Sequence, residues 1–164
     1  MYIDTIESEL GQIVLAGSAT ALCALDFGDC HDRMTGLLKG RWPGAVFETQ
    51  AGFGGFRDRV TSYLAGDLGA LDPVETASNG TVFEEVVWAG LRRIRPGTTV
   101  TYGELARQLG RSRAARAVGR ANSRNPIALV VPCHRVIGGD GSLTGYAGGL
   151  ERKKWLLQHE RCRI

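Results

Sequence analysis

The sequence predicts an α+β protein with two parts, a small sheet-containing part followed by a mainly helical part. Short apolar-rich segments separated by turn-like residues occupy the start of the chain, whereas helical periodicity with capping residues dominates after residue 80. Charge divides at the same place: residues 1–79 hold 5 Lys and Arg against 11 Asp and Glu, and residues 80–164 hold 15 against 6. These balances, −6 and +9, suggest two units, the second of which meets a polyanion.

The first part reads as a meander of strands followed by a helix. Strands are expected at 2–6, 12–16 and 22–27, separated by the turn-like stretches "SELG" and "GSAT". Phenylalanine, valine and leucine recur at helical intervals over 53–65 and predict an amphipathic helix that ends at Gly66. The following Gly-, Asp-, Pro- and Ser-rich stretch reads as a linker. We therefore expect one domain over residues 1–78 and another over residues 79–164.

Two capping boxes mark helix starts in the second part. The T-x-x-E signature occurs at 81–84, before an apolar series with helical spacing, and again at 101–104. The second box predicts a helix over 102–109, and Gly110 would end it.

The next helix completes a helix-turn-helix candidate. Ser112 is expected to cap a helix over 113–123, and two short helices joined by a glycine-containing turn are typical of that motif. The remaining predicted elements are a strand at 127–131, a glycine-rich ribbon at 136–146 and a last helix at about 150–160.

An arginine face runs along the third predicted helix. Its members, at i, i+3, i+7 and i+11, are Arg113, Arg116, Arg120 and Arg124. Small residues between them would let the helix backbone approach a surface closely, and arginines neutralise phosphates or enter grooves. A solvated basic helix packed through its alanines is the alternative. Within a helix-turn-helix pattern and a basic domain, nucleic acid is the favoured partner.

Cys133 follows a proline at the end of the apolar stretch "IALVVP", so we expect it at a turn. His134 and Arg135 come next, and positive charge near a thiol lowers its pKa. Asn125 and Glu160 come within reach of this turn if the last helix folds back onto it. Because neighbours along an extended chain point to opposite sides, adjacency alone leaves a reactive thiol and a buried structural thiol both open.

A metal site and a membrane location are not expected. A metal reading could combine Cys23, Cys30 and His31 with His159 or Cys162, but that spacing matches no standard zinc module. The chain has no C-x-x-C pair and no apolar run long enough to span a bilayer. The N-terminus lacks the basic and apolar regions of a signal peptide. We expect a protein of the cytoplasm or nucleoid, without disulfides.

Several segments together resemble the O6-alkylguanine-DNA alkyltransferases. They are "PCHRVIG" (132–138), "RAVGRAN" (116–122), "NPI" (125–127) and "TGYAGGLERKKWLLQHE" (144–160), with "GTVFEEVVW" (80–88) and "IRPGTTVTYGELA" (94–106) upstream. Residues 1–79 resemble the family only loosely. Pro96 stands one place later than the family's usual proline. The zinc ligands of some members are not evident, and the presence of Cys133 disfavours the alkyltransferase-like branch that lacks this cysteine.

The resemblance implies a fold and a reaction. The first domain would be ribonuclease-H-like and the second a winged helix-turn-helix. The protein would bind double-stranded DNA through the minor groove, flip out O6-alkylguanine or O4-alkylthymine, and transfer the alkyl group irreversibly to Cys133. It would need no cofactor, would act once per molecule, and would be a monomer that can associate along DNA.

The resemblance also implies roles for the reacting residues. Cys133 would be the acceptor nucleophile, and His134 would take its proton through an ordered water. Glu160 would orient that histidine, which is the nucleophile–base–orienter logic of a triad. Asn125 would hold the turn, and Tyr102 would donate a proton to the leaving base.

The remaining implied roles concern the DNA. Arg116 would fill the space left by the extruded nucleotide, and the base pocket would be lined by Tyr146, Ala147 and Gly148. The other implied contacts are Arg113, Gly119, Arg120, Asn122, Arg124 and Arg135.

Two other classes of protein fit part of the pattern. A winged-helix regulator would use the helix-turn-helix motif but would leave Cys133 and His134 without a role. A thiol hydrolase would use those two residues but would leave the arginine face idle. A regulator would bind DNA independently of Cys133, and a hydrolase would turn over many times.

Overall fold

The computed structural model describes residues 1–162, which form two compact units. The first unit comprises residues 1–79 together with 126–130, and the second comprises 80–125 together with the chain from residue 131 onward. The predicted C-terminal domain runs to residue 164, so its last two residues lie outside this description. The predicted α+β class is confirmed. Over residues 1–162, every helix is too short or too polar to cross a bilayer.

A mixed sheet forms the centre of the first unit. Its elements in chain order are β1 (Tyr2–Ile6), β2 (Ile13–Gly17), β3 (Leu22–Phe27), α1 (His31–Arg41), β4 (Glu48–Thr49) and α2 (Phe56–Leu64). The strand order is β3-β2-β1-β4; β1, β2 and β3 form the predicted antiparallel meander, and β4 runs parallel to β1. Every residue of β2 and β3 is buried, so both strands are mainly apolar, and the one charged residue among them, Asp26, accepts a hydrogen bond from Arg33 Nη1 (2.5 Å).

Helix α1 was not expected from the sequence. It buries only Met34 and Leu38, which join a core cluster that includes Val14 and Ala24 of the sheet. Two glycines interrupt its sequence, so too few apolar residues remain to show a helical period.

Helix α2 begins later than the periodicity predicts. A 3₁₀ turn covers Phe53–Gly55, and the α-helix starts at Phe56. Gly54 and Gly55 have φ values of 60° and 72°, which an α-helix does not accommodate. A side chain at Gly54 would also collide with the Phe56 ring, so this close packing requires glycine.

The predicted strand over 127–131 is wrong in extent. It consists of one parallel bridge between Leu25 and Ile127, made by hydrogen bonds from Leu25 N to Pro126 O (2.9 Å) and from Ala128 N to Leu25 O (2.9 Å). The chain then turns at Leu129, whose φ of 67° ends extended structure. The apolar segment 127–131 therefore contributes a single bridge next to β3, at the edge of the first unit's sheet, and not a full strand.

The second unit is mainly helical. Its elements are α3 (Val82–Arg92), β5 (Val100–Thr101), α4 (Tyr102–Gln108), α5 (Ala115–Ser123), β6 (Val136–Ile137) and α6 (Leu150–His159). Both capping boxes are confirmed: Thr81 Oγ1 accepts from Glu84 N (3.2 Å) while the Glu84 carboxylate accepts from Thr81 N (2.9 Å), and Thr101 and Glu104 repeat the pattern. Strands β5 and β6 pair in parallel.

Helices α4 and α5 form the predicted helix-turn-helix, with Gly110 at a φ of 70° in the turn. The predicted start of α5 is wrong: Ala114 occupies the N-cap position without a side-chain cap, so Ser112 does not cap the helix. Arg113 therefore lies in the turn. Trp88 Nε1 donates to Ala121 O (2.9 Å) and joins α3 to α5.

Candidate active site

A tight turn in the second unit presents Cys133. The carbonyl oxygen of Val131 accepts two hydrogen bonds, from Cys133 N (2.8 Å) and from Asn125 Nδ2 (2.7 Å). Pro132, the residue between Val131 and Cys133, has φ −81° and ψ 66°, the backbone angles of an inverse γ-turn. Asn125 is 1% exposed, so its side chain acts as an internal brace. The turn that carries the thiol is thereby fixed by a proline ring and a buried amide.

His134 and Glu160 form a buried pair beside this turn. Neither side chain has any exposed surface, and His134 Nε2 lies 2.9 Å from Glu160 Oε1. A carboxylate only accepts hydrogen bonds, so we assign the imidazole proton to Nε2. The other nitrogen, Nδ1, is buried and has no hydrogen-bond partner among residues 1–162. In a neutral His134 this nitrogen is therefore the proton-accepting atom of the ring.

Glu160 is held in place by a second partner. Arg135 donates to it twice, from Nε to Oε2 (2.9 Å) and from Nη2 to Oε1 (2.7 Å), and its Nη1 donates to Ile94 O. This fork geometry fixes the carboxylate plane. The expectation that Arg135 contacts DNA is not supported by its position, because it is 6% exposed and its guanidinium is used inside the unit.

The electrostatics keep His134 neutral and Glu160 ionised at neutral pH. Burial is the largest effect on His134 and lowers its pKa, and the charges of Arg135 and Lys153 act in the same direction against the raising effect of Glu160. Burial opposes ionisation of Glu160, but the hydrogen bonds from His134 and Arg135, together with the charge of Arg135, outweigh it and lower the pKa of this carboxyl well below its usual range. The pair therefore consists of a neutral imidazole hydrogen-bonded to an ionised carboxylate.

These shifts predict that the protein loses stability in acid. In the unfolded chain His134 and Glu160 would take up protons near ~6.5 and ~4.3, whereas the folded protein resists both protonations. The unfolded state therefore binds more protons as the pH falls, and the free energy of unfolding should decline from about pH 6.5 downward. Urea unfolding between pH 7 and 3 measures this. Below pH 4.3 the free energy of unfolding should fall less steeply with decreasing pH in Glu160→Gln than in the wild-type protein. Identical slopes in the two proteins would contradict the lowered pKa of Glu160.

Lys153 is the residue of this region that sequence reasoning missed. It lies on α6 with 0% exposure, and its Nζ donates to Val136 O (2.6 Å) and Thr144 O (2.8 Å). The signal was present, because Lys153 stands three and four residues before the buried Leu156 and Leu157 and so falls on the inward face of the helix.

The arginines on and near α5 do not share one environment. Arg113, Arg116, Arg120 and Arg124 are all exposed. Arg124 Nε donates to the buried Glu84 at 2.8 Å, which ties the end of α5 to the start of α3.

Two other expected DNA contacts on α5 also differ in exposure. Asn122 is 6% exposed, and its Oδ1 has no hydrogen-bond partner in the described part of the chain, so it does not lie on the exposed arginine face. Gly119 is half-buried against Tyr102: a Cβ at this position would meet the tyrosine ring at 3.6 Å. Tyr102, the first residue of α4, therefore places its ring beside α5.

The expected base-pocket residues follow β6. Tyr146 is half-buried, Ala147 exposed and Gly148 buried. The turn that they form closes through a hydrogen bond from Gly149 N to Tyr146 O (2.9 Å), and α6 begins at the next residue. This arrangement puts the three residues directly before the helix that carries Lys153 and leads to Glu160.

The other cysteines offer no comparable surroundings. All four cysteines are free thiols. Cys23 donates from Sγ to Ala16 O (3.2 Å), and burial raises its pKa to about 11. Cys162 is buried and burial raises its pKa, whereas Cys30 is partly exposed. Among residues 1–162 no three His, Cys, Asp or Glu side chains come together as metal ligands.

The fold and the site define a class before any comparison: a helix-turn-helix unit with exposed arginines that carries a cysteine beside a buried His–Glu pair. Comparisons with known proteins agree. The family described as "6-O-methylguanine DNA methyltransferase, DNA binding domain" matches residues 82–162, and its ribonuclease-like domain matches residues 1–77. This chain belongs to the 6-O-methylguanine DNA methyltransferase family.

Individual relatives cover nearly the whole chain. The methylated-DNA–protein-cysteine methyltransferase of Salmonella typhimurium is 47% identical over 96% of this chain and 94% of its own length. That of Mycobacterium tuberculosis is 44% identical over 99% and 94%. Among solved structures, M. tuberculosis OGT in complex with DNA superposes with a TM-score of 0.82 at 40% identity, covering 98% of this chain and 93% of that one. The O6-methylguanine-DNA methyltransferase of Pyrococcus kodakaraensis gives 0.79 at 31%, covering 96% and 98%.

Proposed function

We propose that this protein repairs O6-alkylguanine in double-stranded DNA by moving the alkyl group onto the sulfur of Cys133. The observation that carries the proposal is the buried His134–Glu160 pair at the turn that presents Cys133, in which the Nδ1 of His134 accepts no hydrogen bond from residues 1–162. Membership of the family and similarity to a relative solved with DNA support it.

The proton relay would work through His134 as a general base. An ordered water would pass the thiol proton to Nδ1, and Glu160 would stabilise the imidazolium that forms. The thiolate then attacks the alkyl carbon, an S–C bond forms and the bond from that carbon to O6 breaks. The thioether is not readily reversed, so each molecule acts once.

The departing base also needs a proton, because an unprotonated guanine oxygen is a poor leaving group. Tyr102, beside Gly119 of α5, would donate it, and Tyr146, Ala147 and Gly148 would line the pocket. The balance closes when the proton held by the His134 imidazolium returns to Tyr102 through water, so that overall the thiol loses one proton and guanine gains one.

Access to the alkyl carbon requires extrusion of the nucleotide from the base stack. Helix α5 would lie in the minor groove with its small residues against the backbone, and O4-alkylthymine would be taken in the same way. Arg113 and Arg120 would contact phosphates. We expect a monomer that can associate along DNA, in the cytoplasm and on the nucleoid, without a cofactor.

Intact-mass measurement after incubation with an O6-methylguanine duplex tests the function. The protein should gain the mass of one methyl group, in proportion to the lesion supplied, and unmodified duplex should give no change. Repeated turnover without a mass gain would indicate a hydrolase. Binding to DNA with neither turnover nor mass gain would indicate a regulator.

Arg116→Ala should impair repair of duplex DNA more than reaction with the free base. Arg116 would fill the gap left by the flipped nucleotide, and free O6-alkylguanine needs no extrusion. The measurement is the ratio of the two reaction rates, compared with the same ratio in Arg120→Ala. We expect the ratio to fall about tenfold in Arg116→Ala, the equivalent of one lost contact of ~1.4 kcal/mol.

Arg120→Ala is the matched control because Arg120 lies about one helical turn from Arg116, is also exposed and would contact phosphate. Its loss should weaken binding to all sequences and reduce the salt dependence by about one unit of slope. An unchanged ratio in Arg116→Ala, or equal falls in both variants, would make Arg116 one more phosphate contact.

A further inference from the structure

Glu84 is a buried carboxylate whose two oxygens serve two different helices. Its Oε2 accepts from Thr81 N (2.9 Å) and completes the capping box of α3. Its Oε1 accepts from the Nε of Arg124 (2.8 Å), the residue that directly follows α5. A capping box needs only an acceptor oxygen at this position, and glutamine supplies one as well as glutamate does. The cap therefore does not require the negative charge of Glu84, and the charged partner of that carboxylate is Arg124.

Arg124 lies beside a predicted phosphate contact but has a different environment. Arg120 and Arg124 are four residues apart, on the same side of α5, and both line a recess between α5 and the start of α3. Glu84 lines the same recess and pairs with Arg124. The side chain of Arg124 is 56% exposed, so it lies at the surface while its Nε is held by a carboxylate that is 9% exposed.

This ion pair reduces the positive charge that DNA would meet at the end of α5. Each arginine that neutralises a phosphate releases counterions, and this release provides most of the sequence-independent affinity for DNA. The charge of Arg124 is already balanced by a carboxylate 2.8 Å away. To neutralise a phosphate instead, Arg124 would have to leave Glu84 as a buried anion without its cation, which is costly. The buried position of Glu84 therefore favours the pair over a phosphate contact.

We propose that Glu84 withholds Arg124 from DNA and thereby limits the affinity of this protein for undamaged duplex. The inference rests on the proposed function only in that α5 faces DNA. A repair protein meets far more undamaged DNA than lesions, and phosphate contacts hold it to both. One contact fewer shortens each stay on undamaged DNA, because affinity differences lie mainly in the dissociation rate. Glu84 acts through Arg124 and is therefore a positioning residue.

Glu84→Gln is the variant that tests this proposal, because it keeps an acceptor for Thr81 N and removes the charge that balances Arg124. The measurement is the affinity for an undamaged duplex at several salt concentrations between about 50 and 200 mM, plotted as log K against log salt. We expect the slope to steepen by ~0.9, the value for one added phosphate contact, so that the loss of affinity over this range becomes about 3.5-fold larger.

Glu85→Gln separates the effect on Arg124 from a general change of charge. Glu85 is the exposed neighbour of Glu84 in the first turn of α3, and its carboxylate accepts from Gly80 N (2.7 Å). Its substitution removes the same charge at almost the same place without removing the anion paired with Arg124. The slope for Glu85→Gln should therefore stay near the wild-type value.

The double variant Glu84→Gln with Arg124→Ala removes the ion pair as a whole. It should have the wild-type slope, because the steepening in Glu84→Gln comes from Arg124. This variant also tests the proposal by itself if Glu84→Gln does not fold. An arginine that contacts phosphate in the wild-type protein would make the slope of the double variant shallower by about one unit, as expected for Arg120→Ala.

Several results would overturn the proposal: an unchanged slope in Glu84→Gln, an equal steepening in Glu85→Gln, a double variant with a slope shallower than wild type, or no binding of undamaged duplex by Glu84→Gln. None of these measurements involves an alkylated base. Failure here is therefore separate from failure of the proposed function, which would appear as no methyl gain from an O6-methylguanine duplex.

Discussion

Cys133→Ser is expected to abolish alkyl transfer while leaving affinity for alkylated duplex DNA within about threefold of wild type, a change of under ~1 kcal/mol. A serine hydroxyl at this turn is a far weaker nucleophile than a thiolate, and the imidazole of His134 alone does not ionise it. The exposed arginines on and near α5 are untouched by the change, so binding should persist. Transfer is measured by mass gain and binding by titration of a labelled duplex at fixed salt.

Cys30→Ser is the appropriate comparison because Cys30 is the partly exposed thiol of the chain. It should react at the wild-type rate. Peptide mapping of the reacted wild-type protein should place the methyl group on Cys133. A methyl group found mainly on another cysteine would remove Cys133 from the mechanism and, with it, the proposed role of His134.

Glu160→Gln is expected to slow transfer about a hundredfold, the lower end of what general-base catalysis contributes. The neutral amide no longer stabilises an imidazolium at His134. It also leaves the buried Arg135 without its anion, which typically costs ~3–5 kcal/mol of folding stability. Rates should therefore be measured at a temperature where the variant is folded, by single-turnover mass gain at several pH values.

The double variant His134→Ala with Glu160→Gln should be little slower than the slower single variant, because both changes interrupt one relay. Glu151→Gln, an exposed change in the first turn of α6, controls for altered helix charge and should react normally. If both single variants of the relay react at wild-type rates, the proton leaves the thiol by another route.

Local signals in the sequence predicted the local structure of the second unit. The capping boxes at Thr81 and Thr101 appear as expected, because a cap needs only residues three apart. The tight turn at Cys133 likewise follows from a proline. The family resemblance, in turn, indicated His134 and Glu160 as partners, which no spacing in the sequence alone could show.

The features that the sequence did not predict are those set by tertiary contacts. Arg135 reads as a cation available to DNA, and only the fold reveals that Glu160 and Ile94 O take up its guanidinium. Lys153 drew no prediction from the sequence, and only the fold shows that three backbone carbonyls surround its Nζ. The apolar run after Asn125 reads as a full strand, but the left-handed backbone of Leu129 limits it to one bridge. The type of a residue does not reveal which backbone carbonyls will lie near its side chain in the folded protein.

The bridge at Leu25 means that the two halves of the chain, if expressed as separate fragments, would each lack contacts that the other supplies. A fragment that stops at residue 79 lacks 126–130, so Leu25 N and O lose the partners they have in Pro126 and Ala128. A fragment that begins at residue 80 carries residues 126–130, which belong to the first unit, so the fully buried Ile127 loses the strand with which it forms a bridge. We therefore expect neither fragment to fold stably by itself, although residues 66–80 read as a linker in the sequence. Co-expressed halves should complement each other where separately purified halves aggregate.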